Sequence, residues 1–253
     1  MLKKVDFYYF SPTGGTKKVG EVFSKAIAKE VSMIDLGKKE TIKKEVESDV
    51  IVVALPVFGG RVPSIVVKKL KDLVGSGKKA ITLVVYGSRA YEDALVELND
   101  AIEESKFKIV ASGAFVAEHS ISSVVGRGRP DDQDILEIKD FAKKVNNKLA
   151  LNMSDNIVVP GNHTYKDEMV IPATPIYLDS CTICGKCIDV CPTEAIEIRN
   201  GKIETDKNKC ILCMACISEC PEKARILPPP VQEKMDEKLS PLKDIRRKNE
   251  IFI

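Results

Sequence analysis

The sequence predicts a doubly wound α/β domain followed by a small cysteine-rich unit. Strand and helix patterns alternate through the first 150 residues, which is typical of a parallel sheet with helices on both faces. One predicted strand, residues 50–55, is a continuous apolar run, as expected for a strand that is buried on both faces. All eight cysteines lie between Cys181 and Cys220, so the cysteine chemistry belongs to the second unit alone.

Periodicity and terminal signals define the elements of the first domain. Residues 5–10 form a short apolar and aromatic strand, and apolar residues then recur at helical spacing from Val19 to Ile27. Pro63 suits the first turn of the next helix. The last helix carries acids in its first turn and lysines near its end, which complement the helix dipole. The predicted strands are 5–10, 31–36, 50–55, 80–86 and 108–116, and the predicted helices are 15–30, 63–74, 90–105 and 131–149.

Changes in composition divide the chain into four segments. Prolines, glycine and polar residues after residue 150 predict a linker, and its apolar stretches at 157–159 and 169–171 predict that it packs on the body. Pro228 to Pro230 end the cysteine-rich unit, and the sequence leaves open whether the charged, helix-prone tail docks or is mobile. The predicted boundaries are 1–150 for the α/β domain, 151–175 for the linker, 176–230 for the cysteine-rich domain and 231–253 for the tail.

The charge balance and apolar runs narrow the class of protein. There are 39 Lys plus Arg against 37 Asp plus Glu, and a formal net charge of +2 gives no reason to expect nucleic acid or an anionic membrane as a partner. The longest apolar runs, 50–58 and 80–86, fall well short of a bilayer span. Asp6 and the Ser11-Pro12 step interrupt what would otherwise resemble a signal peptide. We therefore expect a cytoplasmic protein; its oligomeric state stays open.

The cysteines form an internal repeat. The motif C-x2-C-x2-C-x3-C-P occurs twice, starting at Cys181 and again 29 residues later at Cys210. Three thiolates at this spacing can bind three corners of one [4Fe–4S] cluster, while the fourth cysteine, fixed by the following proline, ligates the other cluster. The predicted first-repeat cluster is held by Cys181, Cys184, Cys187 and Cys220, and the second-repeat cluster by Cys210, Cys213, Cys216 and Cys191.

The residues from Ile176 to Leu227 resemble bacterial two-cluster ferredoxins. The alternative is a pair of structural zinc sites, because four thiolates also suit zinc. Zinc modules usually present two separated C-x2-C pairs, so the third closely spaced cysteine favours iron–sulfur clusters.

The loop after the first predicted strand is rich in hydroxyl groups and glycine. Its sequence, Ser-Pro-Thr-Gly-Gly-Thr at 11–16, lies directly before a helix, where backbone N–H groups and the helix dipole favour a phosphate. The pattern resembles the FMN phosphate loop of flavodoxins, [S/T]-x-T-G-x-T. That resemblance implies a five-stranded sheet of order 2-1-3-4-5 with the flavin at the carboxyl edge. The phosphate-binding candidates are Ser11, Thr13, Gly14, Gly15 and Thr16.

Two further loops lie at the same predicted edge, at 56–63 and 86–93. Together with the stretch 161–165 they look like a family of flavodoxin–ferredoxin fusion proteins found in anaerobes. The resemblance implies that aromatic residues flank the flavin ring, that glycines let backbone amides approach it, and that an arginine stabilises the reduced, anionic form. The candidates are Pro56, Phe58, Gly59, Gly60, Arg61, Gly87, Ser88, Arg89 and Tyr91.

Each of these features also has a simpler structural interpretation. A Ser/Thr/Gly turn before a helix is often only an N-cap. Phe58 and Tyr91 could anchor their loops, and the two arginines could be solvated or pair with an acidic neighbour. His119 is expected to be a polar strand-end residue, and His163 a residue that docks the linker.

The leading functional hypothesis is an electron-transfer protein that connects two [4Fe–4S] clusters with FMN and exchanges electrons with a redox partner protein. One alternative is a ferredoxin-type donor whose first domain is a flavin-free docking module. Another is a reductase that binds its own small substrate above the flavin.

Overall fold

A computed structural model describes residues 1–153, 156–169 and 172–253. The first domain is a parallel sheet in the predicted order 2-1-3-4-5, so the doubly wound fold is confirmed. Strand β1 lies centrally and pairs in parallel with β2 on one side and β3 on the other, and β4 and β5 continue the sheet. The five strands are β1 Leu2–Tyr9, β2 Ala28–Asp35, β3 Val50–Pro56, β4 Lys79–Tyr86 and β5 Lys108–Val116.

Helices cover both faces of this sheet, and each face has its own apolar core. Phe23, Phe115 and Phe141 are fully buried on the face covered by α1 and α4. Leu70 and Leu95 are fully buried on the face covered by α2 and α3. The helices are α1 Gly15–Ile27, α2 Ser64–Lys71, α3 Ala94–Glu104 and α4 Asp132–Ala150.

Several predicted boundaries differ from the structure by a few residues, and two of the differences have a clear physical reason. The first helix ends at Ile27 because Ala28 to Glu30 pair in register with Leu2 to Lys4 and start the second strand. The third helix begins at Ala94, four residues later than expected. Ser88 and Glu92 adopt positive φ values of 63° and 44°, which a right-handed helix does not allow.

The cysteine-rich domain is a small α+β unit. Strands β6 Ile176–Tyr177 and β9 Arg225–Ile226 pair antiparallel, as do β7 Ile196–Arg199 and β8 Lys202–Thr205. One short helix follows each repeat's second cysteine: α5 Lys186–Asp189 and α6 Ala215–Ser218. Cys187, Cys191 and Cys216 form the core of this domain together with Ile196 and Ile203.

The tail docks on the first domain, which settles the question that the sequence left open. Helix α7 Pro229–Leu239 is followed by a 3₁₀ turn at Ser240–Leu242 and by strand β10 Glu250–Phe252. Strand β10 pairs antiparallel with β5 and makes the sheet six-stranded, where the sequence predicted five. An antiparallel edge strand on an otherwise parallel sheet is a common arrangement.

The linker packs on the body, as predicted for its first apolar stretch. Ile157 and Val159 contact the α2/α3 core, and Met169 lies against Gly59. The last two residues of the second apolar stretch, 170 and 171, lie outside the described residues. Among the described residues, no helix combines the length and the apolar character needed to cross a bilayer.

Candidate metal centre and adjoining cavity

The two cysteine repeats fold into equivalent loops. A residue in the left-handed region precedes each short helix: Gly185 at φ 78° and Met214 at φ 67°. The last cysteine of each repeat accepts a backbone N–H at 3.3 Å, Cys191 from Ala195 and Cys220 from Ala224. Such N–H···S bonds are one means by which proteins tune iron–sulfur clusters.

Thiols of the two repeats act on one another electrostatically. Burial raises the pKa of Cys213 to about 12, and Cys216, Cys191 and Cys210 add to the effect. These are the four residues assigned to the second-repeat cluster, with Cys191 contributed by the first repeat. Burial also raises the pKa of Cys187, and both Cys216 and Cys181 act on it. The two ligand sets therefore approach one another at Cys187 and Cys216.

The donor set suits a multi-iron core. All eight cysteines are free thiols. Four cysteine thiolates per site are the ligand set of a [4Fe–4S] cluster.

A buried cation that sequence reasoning missed lies among the thiols. Arg225 is only 2% exposed and donates to Thr205 Oγ1 at 3.0 Å. Its Nη2 lies 3.9 Å from Cys216 Sγ, and its Nε and Nη1 have no hydrogen-bond partner among the described residues. A buried guanidinium without a carboxylate partner suits a domain that holds anionic groups.

The two cluster sites differ in exposure. At the first repeat, Cys184 and the neighbouring Ile183 are exposed to solvent. At the second repeat, Cys213 and Ile211 pack against the α2/α3 core of the first domain. The second-repeat site is therefore the inner one and the first-repeat site the outer one.

A cavity of about 610 Å³ lies between the two domains. Its walls come from the loops after β3 and β4, the linker, the second repeat and helix α7. Cys210 and Leu212 belong to this wall, so the second cysteine repeat directly adjoins the cavity. The predicted residues on the wall are Phe58, Gly59, Arg61, Gly87 and Arg89.

Side chains of the protein itself pack against the loop glycines, on the side where a Cβ atom would otherwise lie. A Cβ on Gly59 would lie 2.6 Å from Met169, and one on Gly60 would lie 1.8 Å from a carboxylate oxygen of Glu92. A Cβ on Gly87 would lie 2.4 Å from the ring of His119. These three glycines permit close packing within the protein itself.

The two predicted arginines pair with acids. Arg61 makes a bidentate contact with Glu97 at 2.7 Å for both bonds, and its guanidinium lies 4.8 Å from the centre of the Tyr165 ring. Arg89 makes a bidentate contact with Glu92 at 3.1 and 2.9 Å. Both guanidinium groups are thus paired with carboxylates at the cavity wall.

The two predicted aromatic residues have different environments. Phe58 lies on the wall and contacts Phe10, with ring centres 6.4 Å apart. Tyr91 is buried beside Tyr86 and donates to Glu250 of the tail at 2.9 Å. Only Phe58 of this pair belongs to the wall. Pro56 ends strand β3, and Ser88 is fully buried at the loop after β4.

The phosphate-type loop is formed but stands apart from the cavity wall. Gly14 has φ 88°, and helix α1 begins at the next residue. The Ser11 hydroxyl accepts the Lys17 N–H at 2.9 Å and so caps the helix, while Thr13 is exposed and Thr16 is buried. The first N–H groups of any helix lack intrahelical acceptors, and the loop therefore keeps the donor chemistry that suits a phosphate.

His119 lies on the cavity wall, a position that the sequence did not suggest. Its Nδ1 accepts N–H groups from Ile121 and Ser122 at 3.2 and 3.3 Å, so the proton of the neutral ring resides on Nε2. Burial lowers its pKa, which favours the neutral form. His163, by contrast, lies outside the wall and contacts Asp100 on α3 at 2.8 Å.

Comparisons with known proteins agree with this architecture. Residues 175–221 match the family model of the 4Fe-4S dicluster domain, which supports two [4Fe–4S] clusters. Ferredoxin-2 of Desulfomicrobium norvegicum is 58% identical over 24 residues, which cover 10% of this chain and 41% of that protein.

Solved structures resemble the first part of the chain at low identity. A flavodoxin from the domain Archaea is 17% identical with a TM-score of 0.43, covering 58% of this chain and 99% of its own. The flavodiiron core of Flv1 from Synechocystis sp. PCC6803 is 14% identical with a TM-score of 0.46, covering 60% of this chain and 37% of its own. The strand order of the sheet itself establishes the flavodoxin-like fold, and the chain joins this fold to a dicluster domain.

Proposed function

We propose that this flavodoxin-like and ferredoxin-like chain is an electron-transfer protein that connects two [4Fe–4S] clusters with FMN. The observation that supports this proposal most directly is that Cys210 and Leu212 of the second repeat form part of the wall of the interdomain cavity. The clusters supply one-electron chemistry, and FMN accepts one or two electrons. The chain's own residues hold the inner cluster site beside the cavity, and Ile211 and Cys213 exclude water where they pack on the first domain.

The residues present fit FMN in part. The hydroxyl and N–H donors at 11–16 suit its phosphate, and the cavity offers Phe58 and Tyr86 as flat apolar surfaces for its ring. We propose the reducing cytoplasm as the compartment, because cysteines stay available there as cluster ligands rather than forming disulfide bonds.

A flavin-free docking module is the second candidate, and one observation favours it. The faces of Gly59, Gly60 and Gly87, which flavin would approach in the fusion-family interpretation, are covered by Met169, Glu92 and His119. Cofactor analysis separates the two candidates.

The test is anaerobic purification followed by iron, sulfide, zinc and flavin analysis. We expect about eight iron, about eight sulfide and about one FMN per chain. A brown preparation without flavin would support the docking module, and a colourless preparation containing zinc would refute the cluster assignment. Thr13→Val should lower the FMN content because it removes an exposed donor of the loop, and Thr182→Val, also exposed, should not.

Reciprocal cysteine variants test the crossed ligand sets. Cys191→Ala should remove the second-repeat cluster and retain the first, and Cys220→Ala should do the reverse. Electron paramagnetic resonance of the reduced proteins distinguishes the remaining clusters. Loss of the same cluster in both variants would contradict the assignment.

We propose that the redox partner protein docks at the outer cluster site. The repeat places Ile183 and Leu212 at equivalent positions, and Leu212 contacts the domain interface while Ile183 is 40% exposed. The same loop that docks internally at the second repeat is thus free at the first. Asp179, Glu219 and Glu222 of the same domain are exposed, and each cluster would add about two negative charges, which favours a partner with basic residues.

A basic c-type cytochrome serves as the probe for this surface. Ile183→Asn should weaken its binding and slow its reduction, because asparagine tolerates the positive φ of 55° at this position but removes the apolar contact. Ile198→Asn is the matched control, since Ile198 is 46% exposed on strand β7 of the same domain. Equal effects of the two variants would refute the docking site.

A further inference from the structure

Arg225 occupies a position where the two repeats differ in chemistry. It is the fifth residue after Cys220, and the equivalent fifth residue after Cys191 is Ile196. Both side chains are buried, Ile196 at 5% and Arg225 at 2% exposed. The fold therefore accepts an apolar residue at this position of the repeat, and the arginine requires an explanation other than packing.

The hydrogen bonds of Arg225 leave most of its donors unused. Within the part of the chain that the structure describes, only Nη2 has partners, the Thr205 hydroxyl at 3.0 Å and Cys216 Sγ at 3.9 Å. Nε and Nη1 are buried without a partner among the described residues. A guanidinium is always charged in proteins, so this side chain is a buried cation with free N–H groups.

The surroundings of Arg225 are the cluster ligands. Its Nη2 lies 3.9 Å from Sγ of Cys216, a ligand of the second-repeat cluster, and Cys187, a ligand of the first, belongs to the same buried group of side chains as Cys216. These are also the thiols through which the two ligand sets approach each other. An oxidised [4Fe–4S] core with four thiolates carries a net charge of about −2, so two anionic groups flank this one cation.

We propose that Arg225 is the shared counter-ion of the two clusters and raises their reduction potentials. The Nε and Nη1 N–H groups are donors for cluster sulfur atoms, and the positive charge compensates both anionic sites. Reduction adds one electron to a cluster and makes it more negative, with no bond made or broken in the protein. A nearby buried cation stabilises that reduced state, because charge and hydrogen bonds to sulfur are the protein's means of tuning such centres. This inference rests on the cluster assignment of the proposed function.

The test is a redox titration of the anaerobically purified full chain, followed by electron paramagnetic resonance of the reduced clusters. Arg225→Ile places the first repeat's residue into the second. It should lower the potential of at least one cluster by about 59 mV or more, which corresponds to a tenfold change in the ratio of reduced to oxidised cluster for one electron. Arg199→Gln is the control, because Arg199 is an exposed arginine of the same domain and should leave the potentials unchanged.

A second pair of variants covers the case in which Arg225→Ile loses its clusters. Arg225→Lys retains the charge, and Arg225→Gln retains N–H donors without it. Potentials near wild type in the lysine variant and lowered potentials in the glutamine variant support the counter-ion role. Equal potentials in all variants that contain about eight iron would overturn it, whereas absence of iron and sulfide from the wild-type protein would overturn the cluster assignment itself.

Discussion

The contact between Arg61 and Glu97 fixes the linker and one wall of the cavity, and Glu97→Gln tests it. Glu97 lies on helix α3, accepts two bonds from Arg61 at 2.7 Å and accepts the Val62 N–H at 3.1 Å. The side chains of the pair are 15% and 8% exposed. Arg61 in turn donates to the Lys166 carbonyl at 2.5 Å and contacts the Tyr165 ring. Neutral glutamine removes the carboxylate to which this guanidinium is bound.

The magnitude follows from the burial of the pair. Breaking a buried ion pair by removing one partner lowers the free energy of unfolding by about 3–5 kcal/mol. Because Arg61 is partly exposed, we expect a loss at the lower end of this range, about 3 kcal/mol. Proteins of this length lose about 2–4 °C of Tm for each kcal/mol. We therefore expect the thermal midpoint of Glu97→Gln to fall by about 6–12 °C.

Thermal unfolding followed by circular dichroism measures this loss, with Glu104→Gln as the matched control. Glu104 lies on the same helix and pairs with Lys71 at 2.7 Å, but these side chains are 62% and 47% exposed. Exposed pairs contribute about 0–1 kcal/mol, so this variant should change Tm by about 4 °C or less. Tryptic cleavage after Lys166 should also accelerate in Glu97→Gln alone. Similar midpoints for the two variants would refute the reasoning.

Three further predictions concern the same interdomain region. Gly60→Ala should lower the thermal midpoint more than Gly77→Ala, because both glycines have positive φ but only Gly60 would place a Cβ 1.8 Å from a carboxylate; equal shifts would contradict this. Hydrogen bonds from Arg89 first, and then from a lysine of the linker, lower the pKa of Glu92 from 4.5 to about 2. The stability gained from this depressed pKa is present above about pH 4.5 and is lost as the pH falls towards 2, so the difference in midpoint between wild type and Glu92→Gln should shrink over that range. Asn249→Ala should accelerate amide hydrogen exchange in β10, since Asn249 joins the tail to β5 and α4 through three hydrogen bonds of 2.6 to 2.9 Å; unchanged exchange would show that strand pairing alone holds the tail.

The sheet order could be predicted because its signals are local. The alternation of strands and helices and the apolar run of β3 are read within short windows, and right-handed crossovers limit the possible topologies. Strand β10 could not be predicted in this way. Its three residues carry no periodicity, and they form a strand only because β5 presents an unpaired edge 138 positions earlier, with Ile251 opposite Gly113.

The candidate site shows the same contrast between local signals, which the sequence reveals, and long-range contacts, which it does not. The predicted cysteine sets rest on spacing. In each repeat four cysteines lie within eleven residues, and the last of the four is assigned to the other repeat's cluster. The loop residues around the cavity depend on long-range partners that spacing does not reveal. Gly60 meets Glu92, Arg61 meets Glu97, and Gly87 meets His119, all at separations of more than 30 residues. The sequence supplied a resemblance for these loops, whereas the contacts decide which atoms are available to a ligand.

The same long-range contacts explain how the cluster domain is positioned. The linker before it is held by Asp93, which accepts the N–H groups of Asn162 and Lys166 at 2.9 and 2.8 Å. The tail after it is held by Arg246 on Asp131 and by strand β10. A domain attached at one end could swing on its linker, but attachment at both ends removes most of that freedom. Because electron transfer depends on a short and constant separation of donor and acceptor, this double attachment suits the proposed transfer of electrons between the cluster domain and a flavin in the cavity.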